Sequence, residues 1–153
     1  MKALHSLFKT DAGTAPLIAR LALGIVIFPH GAQKLLGWFG GYGFDGTMGY
    51  FTGSLGIPAV FAFLAIVAEF FGSIGLITGF LSRLSALGVA SVMVVAVAKV
   101  HAGVGFFMNW GGNQPGEGFE YHILAIALAL IVLIKGAGAA SLDRVVATRL
   151  AKK

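Results

Sequence analysis

Glu69 is the one ionisable side chain between Leu55 and Ser82, a stretch long enough to cross a bilayer. A charge at that depth is costly, so it needs a partner from another helix or from a bound molecule. Arg20 is the first candidate. On a rise of ~1.5 Å per residue it lies roughly 7 Å nearer the membrane edge than Glu69, within reach of a long side chain. An Arg20–Glu69 ion pair is therefore expected. It would either fix helix packing or polarise the inner end of a pocket.

A second set of polar groups gathers further out. His30, Gln33 and Lys34 follow Pro29, Lys99 and His101 close a third apolar run, and Glu120 and His122 open a fourth. Four readings fit this set. Two facing histidines, His30 with His101 or His122, would suit a haem. His30, His101 and His122 with Glu120 offer metal-ligand chemistry, although Glu120 and His122 are two apart and diverge on a helix. A quinone or similar flat lipid-soluble molecule wants aromatic walls, a polar group at each carbonyl and a proton acceptor; His101 and Glu120 would move protons, with His30 and Lys34 as further contacts. The fourth reading leaves the histidines and Lys99 hydrated among the headgroups.

These groups must be held by membrane helices. The 153 residues are 58% hydrophobic and 11% charged, against roughly a quarter charged in soluble domains. Four apolar runs, near 15–37, 57–81, 83–107 and 119–141, each approach the ~20 residues of a spanning helix. The expected fold is an all-α integral membrane four-helix bundle filling one domain, 1–153, with the first run retained as a span rather than cleaved as a leader. Small residues Ala62, Ala65, Gly72 and Gly79 share the Glu69 face, which turns that carboxylate into the bundle.

Charge gives the expected topology. Lys2, Lys9, Arg20, Arg83, Lys135, Arg144, Arg149, Lys152 and Lys153 cluster at one end, so the net charge of +5 reads as positive-inside rather than as a nucleic-acid surface. Both termini are expected on the cytoplasmic side of the inner (plasma) membrane, and the Gly-rich, aromatic loops 38–57 and 105–118 outside. Trp38, Phe39, Tyr42, Phe44, Tyr50 and Phe51 suggest a short interfacial helix in the first of these, capped by Asp45. His5 belongs to the N-terminal tail. Arg20–Gly24 is echoed by Arg83–Gly88, as in a parallel repeat of two hairpins. With no cysteine, the chain itself offers no dithiol, thiolate metal site or iron–sulfur cluster. Neither a nucleotide loop, a Ser/His/Asp array nor an HExxH motif is present.

In order and spacing, several pieces resemble the DoxX family of small four-helix membrane proteins. They are Arg20-Leu21-Ala22-Leu23-Gly24, His30-Gly31-Ala32-Gln33-Lys34-Leu35-Leu36-Gly37-Trp38, Ala68-Glu69-Phe70-Phe71-Gly72 and Ser82-Arg83-Leu84. His101, Gly118-Phe119-Glu120 and the run from Gly136 to Asp143 complete the set. The resemblance implies membrane redox and oxidative-stress complexes, since the family is named for similarity to a subunit of a thiosulfate:quinone oxidoreductase. It marks Arg20, His30, Lys34, Glu69, Arg83, His101, Glu120 and Asp143 as polar residues of interest. The expectation is a redox-associated subunit binding quinone or quinol on the outer side. Besides membrane lipid, a protein redox partner or a homo-oligomer is expected. A non-enzymatic scaffold or assembly factor and a small proton-linked transporter are the alternatives.

Overall fold

The computed structural model describes residues 7–151; Lys2, His5, Lys152 and Lys153 of the charge reading lie outside them. Six α-helices follow in order: α1 Thr14–Leu36, α2 Gly43–Gly49, α3 Ala59–Thr78, α4 Ser82–Ala96, α5 Glu120–Lys135 and α6 Leu142–Leu150. Single π-helical turns extend α2 through Tyr50–Ser54 and α4 through Val97–His101. No strand occurs among the described residues.

The boundaries follow the backbone's own stops. Gly37 and Gly79, both left-handed, end α1 and α3, and Pro58 sits at the N-cap of α3. The third run ends at His101, short of the expected 107. The fourth stops at Lys135 rather than 141, because Gly136 (φ 83°) and Gly138 (φ 77°) turn the chain into a loop that feeds α6. Asp45 lies in the first turn of α2 and makes no cap; Tyr42 holds that position.

Helices α1, α3, α4 and α5 form a ring in which each packs on two neighbours. Its core contains Leu23 and Ile27 of α1, Leu76 of α3, Val89 and Met93 of α4, and Ala125, Ala129 and Val132 of α5. Large apolar side chains such as Ile18, Phe61, Leu84, Leu124 and Ile134 are exposed around the outside, as a bilayer requires and water would not favour. Three helices, Thr14–Leu36, Ala59–Thr78 and Ser82–His101, are long and apolar enough to cross a membrane. At 16 residues α5 reaches about 24 Å, yet it runs the height of the bundle. Its end meets the start of the chain, where Asp11 N donates to Lys135 O at 2.8 Å. The start of α1, the α3–α4 turn and the end of α5 thus share a terminal end. Loops 37–58 and 102–119 share the opposite, loop end.

Candidate functional site

Glycine sets the geometry at the middle of the bundle. A Cβ on Gly31 would fall 2.6 Å from the backbone of Phe70, and one on Gly24 would fall 2.9–3.0 Å from Ile77, Leu76 and Ser73. The two glycines, seven residues apart, let α1 lie directly on α3. One turn beyond Gly31, Lys34 comes level with Glu69, and its Nζ stands 2.7 Å from Oε2. Glu69 is 3% exposed, while the Lys34 side chain keeps 25% of its surface open.

Glu69 therefore pairs with Lys34, and the expected Arg20–Glu69 pair is not formed. Arg20 is nearer the terminal end by about 10 Å, at the level of Leu76 and Ile77, seven residues along α3 from Glu69. There its guanidinium is saturated. Nη1 donates to the carbonyls of Leu76 and Ile77, Nε to Ala137, and Nη2 to Ala139 and Ala140, at 2.6–3.2 Å. The last-turn carbonyls of α3 have no helical donors and carry the negative end of its dipole, so they outbid a distant carboxylate.

On the other side of Glu69, α5 contributes Tyr121 and His122. The His30 ring lies 6.3 Å from that of Tyr121, and His122 lies 4.2 Å from His101, centroid to centroid. His101 Nδ1 is 2.8 Å from the carbonyl of Glu117. Together these residues line a cleft of about 1280 Å³ with Lys34, Glu69, Lys99, Met108 and Glu117. Its walls include Phe61, Leu64 and Phe71 of α3 and Leu84, Leu87 and Val95 of α4, all exposed on the outside of the bundle. The cleft thus opens sideways between α3 and α4, where acyl chains would lie.

Three buried polar atoms of cleft-lining residues lack a hydrogen-bond partner: Glu69 Oε2, Tyr121 OH and His122 Nδ1. Lys34 compensates Oε2 by its charge at 2.7 Å, which leaves the Tyr121 hydroxyl and His122 Nδ1 with nothing opposite them. Unsatisfied buried groups are rare, and each costs about 1–3 kcal/mol, so two on one wall mark a place for a polar guest.

The structure brings His30, Lys34, Glu69 and His101 to this cleft and leaves Glu120 out of its lining. Glu120 Oε1 instead accepts from Met108 N at 2.9 Å, and Glu120 N donates to Phe106 O. It fastens loop 102–119 to the start of α5. Among the described residues no three His, Asp or Glu side chains converge as metal ligands, so His30, His101 and His122 do not form the alternative metal site. Tyr121 and Glu117 are cleft residues that the sequence reading passed over. A tyrosine next to His122 in an apolar helix was the available signal, because its hydroxyl needs a partner there.

A family model, DoxX, matches residues 15–102, more than half of the chain, from Ala15 of α1 through the end of the extended α4. The chain belongs to the DoxX family. "Inner membrane protein YphA" of Escherichia coli (strain K12) is 31% identical over 134 residues, covering 84% of this chain and 87% of its own. "Inner membrane protein YqjF" of the same organism is 28% identical, over 84% and 88% respectively. "Putative oxidoreductase CatD" of Bacillus subtilis (strain 168) is 27% identical, over 74% and 75%. No solved structure matches. The DoxX match covers Arg20, His30, Lys34, Glu69, Lys99 and His101; Glu117, Tyr121 and His122 lie beyond it.

Proposed function

We propose that this DoxX-family protein is an inner-membrane redox-associated subunit that binds a quinone or quinol in the cleft and works with a partner oxidoreductase. The observation that carries the reading is the asymmetry of the cleft. One side is apolar and opens toward lipid, and the other is lined by the Lys34–Glu69 ion pair, Tyr121 and His122, with the Tyr121 hydroxyl and His122 Nδ1 buried without a partner. A ligand that fits both sides has a flat head with two oxygen functions and an apolar tail. Lys34 and Tyr121 donate to its oxygens, Glu69 and His122 accept from its hydroxyls in the reduced form, and His30 and His101 complete the polar side. In this reading both termini are cytoplasmic and the loop end is outside, which the basic terminal end supports. That one relative carries an oxidoreductase name agrees with this reading.

The test is solvent extraction of protein purified in mild detergent, with bound quinone quantified against protein. Near-stoichiometric quinone, lost in Lys34→Met and retained in Glu120→Gln, is the expected result. Protein free of quinone across several detergents, or unchanged quinone in the Lys34 variant, would overturn the assignment.

A further inference from the structure

Two histidines form a bridge between the cleft and the loop end. His122, 6% exposed, has an unpartnered Nδ1, and its ring lies against that of His101 at 4.2 Å. His101 is only half-buried, at the last turn of the extended α4, and its Nδ1 meets the Glu117 carbonyl at 2.8 Å. A carbonyl can only accept, so Nδ1 carries the hydrogen and a neutral His101 keeps a free electron pair on Nε2. Glu117 is itself exposed, and its Oε2 accepts from Asn109 N at 2.7 Å. A buried histidine, a half-buried histidine of fixed tautomer and an exposed loop carboxylate thus stand side by side where the cleft meets the loop end. The terminal end offers no comparable path, because Arg20 and Asp143 there are spent on backbone groups.

We infer that His122 and His101 form a proton relay joining the cleft to the loop end, so that protons of the bound quinol leave on the outer side of the membrane. This rests on the quinone reading of the cleft. In the balanced step, His122 takes the proton as a quinol O–H bond breaks. Two electrons in all go to two one-electron acceptors supplied by a partner, and both protons leave by way of His101 to water at loop 102–119. The charged and titratable groups facing the pair are His30 and Lys34 from α1, Glu69 from α3, Lys99 from α4, Tyr121 from α5 and Glu117 from the loop. Lys99 and Glu117 flank the exit.

The experiment follows oxidation of protein-bound quinol by a ferrocenium salt, which takes electrons without protons. In vesicles, pH dyes on both faces report the side of release, and single cysteines at the exposed positions Ser54 and Thr148 report the orientation. Wild type should release protons on the loop side. His101→Ala, compared with wild type at equal quinol occupancy, should slow release by about 100-fold and recover with added imidazole. His122→Asn should slow it similarly without loss of folding. Release on the terminal side, or wild-type rates in both variants with quinone still bound, would overturn the relay and leave the quinone reading standing. Wild-type protein without quinone would overturn both. A slow His101→Ala that imidazole fails to restore would assign His101 a packing role and sink the relay as well.

Discussion

The two ends of this bundle use polar residues in opposite ways. At the terminal end three long polar groups close backbone termini. Arg20 saturates the end of α3 and the 137–140 loop. Arg83 donates to Leu133 O and Ile134 O at the end of α5 and to Lys9 O. Asp143 accepts from Leu81 N and Ser82 N at the start of α4. From the middle to the loop end, Glu69, Tyr121 and His122 are buried or half-buried with oxygen or nitrogen atoms left over. Charge alone does not separate the two, since both hold buried charged side chains. What separates them is that the long side chains of the terminal end use their hydrogen-bonding capacity on backbone groups, whereas those beside the cleft do not; Ser82 Oγ is the short terminal-end group also buried without a partner. Groups of the first kind should carry stability, and those of the second kind binding.

Arg20→Leu gives the largest expected effect. It removes every donor from five carbonyls in a site 1% exposed, and should cost about 3–5 kcal/mol. Thermal unfolding and size-exclusion chromatography in detergent should show loss of a monodisperse bundle. Arg20→Lys should recover only part of it, because an ammonium cannot reproduce the planar fork. A stable Arg20→Leu protein with lost quinone would erase the contrast between the ends.

Gly31→Leu tests the contact between the regions. Its side chain would meet the Phe70 backbone, so α1 and α3 must separate at a cost of about 1–3 kcal/mol. Lys34 then moves off Glu69, and quinone should be lost along with stability. Asp143→Ala should be milder. It deprives the start of α4 of its two-pronged acceptor, costing about 1–2 kcal/mol, and should leave bound quinone unchanged in the folded fraction.

The sequence made the bundle legible because uncharged runs of about twenty residues leave few alternatives to spanning helices. It misplaced the end of α5 because Gly136–Ala140 looks apolar on any scale, while the backbone there turns through positive φ. Singling out Glu69 was sound reasoning from charge and depth. Its partner is not legible from depth, because the carbonyls at the end of α3 and in the 137–140 loop lie nearer to Arg20 than Glu69 does. Lys34 escaped the same reasoning because its approach depends on Gly31, whose effect is steric and long-range. His30, Lys34 and His101 could be grouped by depth. Glu120 was grouped with them wrongly, since its acceptor role toward Met108 N arises from a loop whose path the composition does not specify. The echo between Arg20 and Arg83 has a physical counterpart: each sits early in one helix of a hairpin and closes the end of the next.

Glu69→Gln separates the ends more finely. At the terminal end, loss of a buried partner should unfold the protein; here the Lys34 side chain keeps a quarter of its surface open at the cleft, so the expected loss of stability is about 1–2 kcal/mol, below that of Arg20→Leu. Quinone binding should fall sharply, because an amide no longer holds Lys34 at the cleft wall. A loss of several kcal/mol in the thermal transition would instead class Glu69 with Arg20.

Tyr121→Phe carries the smallest expected change in stability and the sharpest test of the contrast. Its hydroxyl is buried without a partner, so the empty protein already bears the cost of desolvating it. Removing it should leave the melting temperature of ligand-free protein unchanged or raise it, by an amount worth up to about 1 kcal/mol. If a quinone oxygen is the missing partner, the same variant should bind quinone roughly tenfold more weakly, the equivalent of one hydrogen bond. Titration of stripped wild type and variant with a soluble quinone analogue, alongside their melting curves, reads both quantities. Opposite signs in the two would mean that the unsatisfied hydroxyl is kept for the guest. A variant that melts lower and binds equally well would place Tyr121 with the terminal-end residues, among groups whose work is done inside the fold.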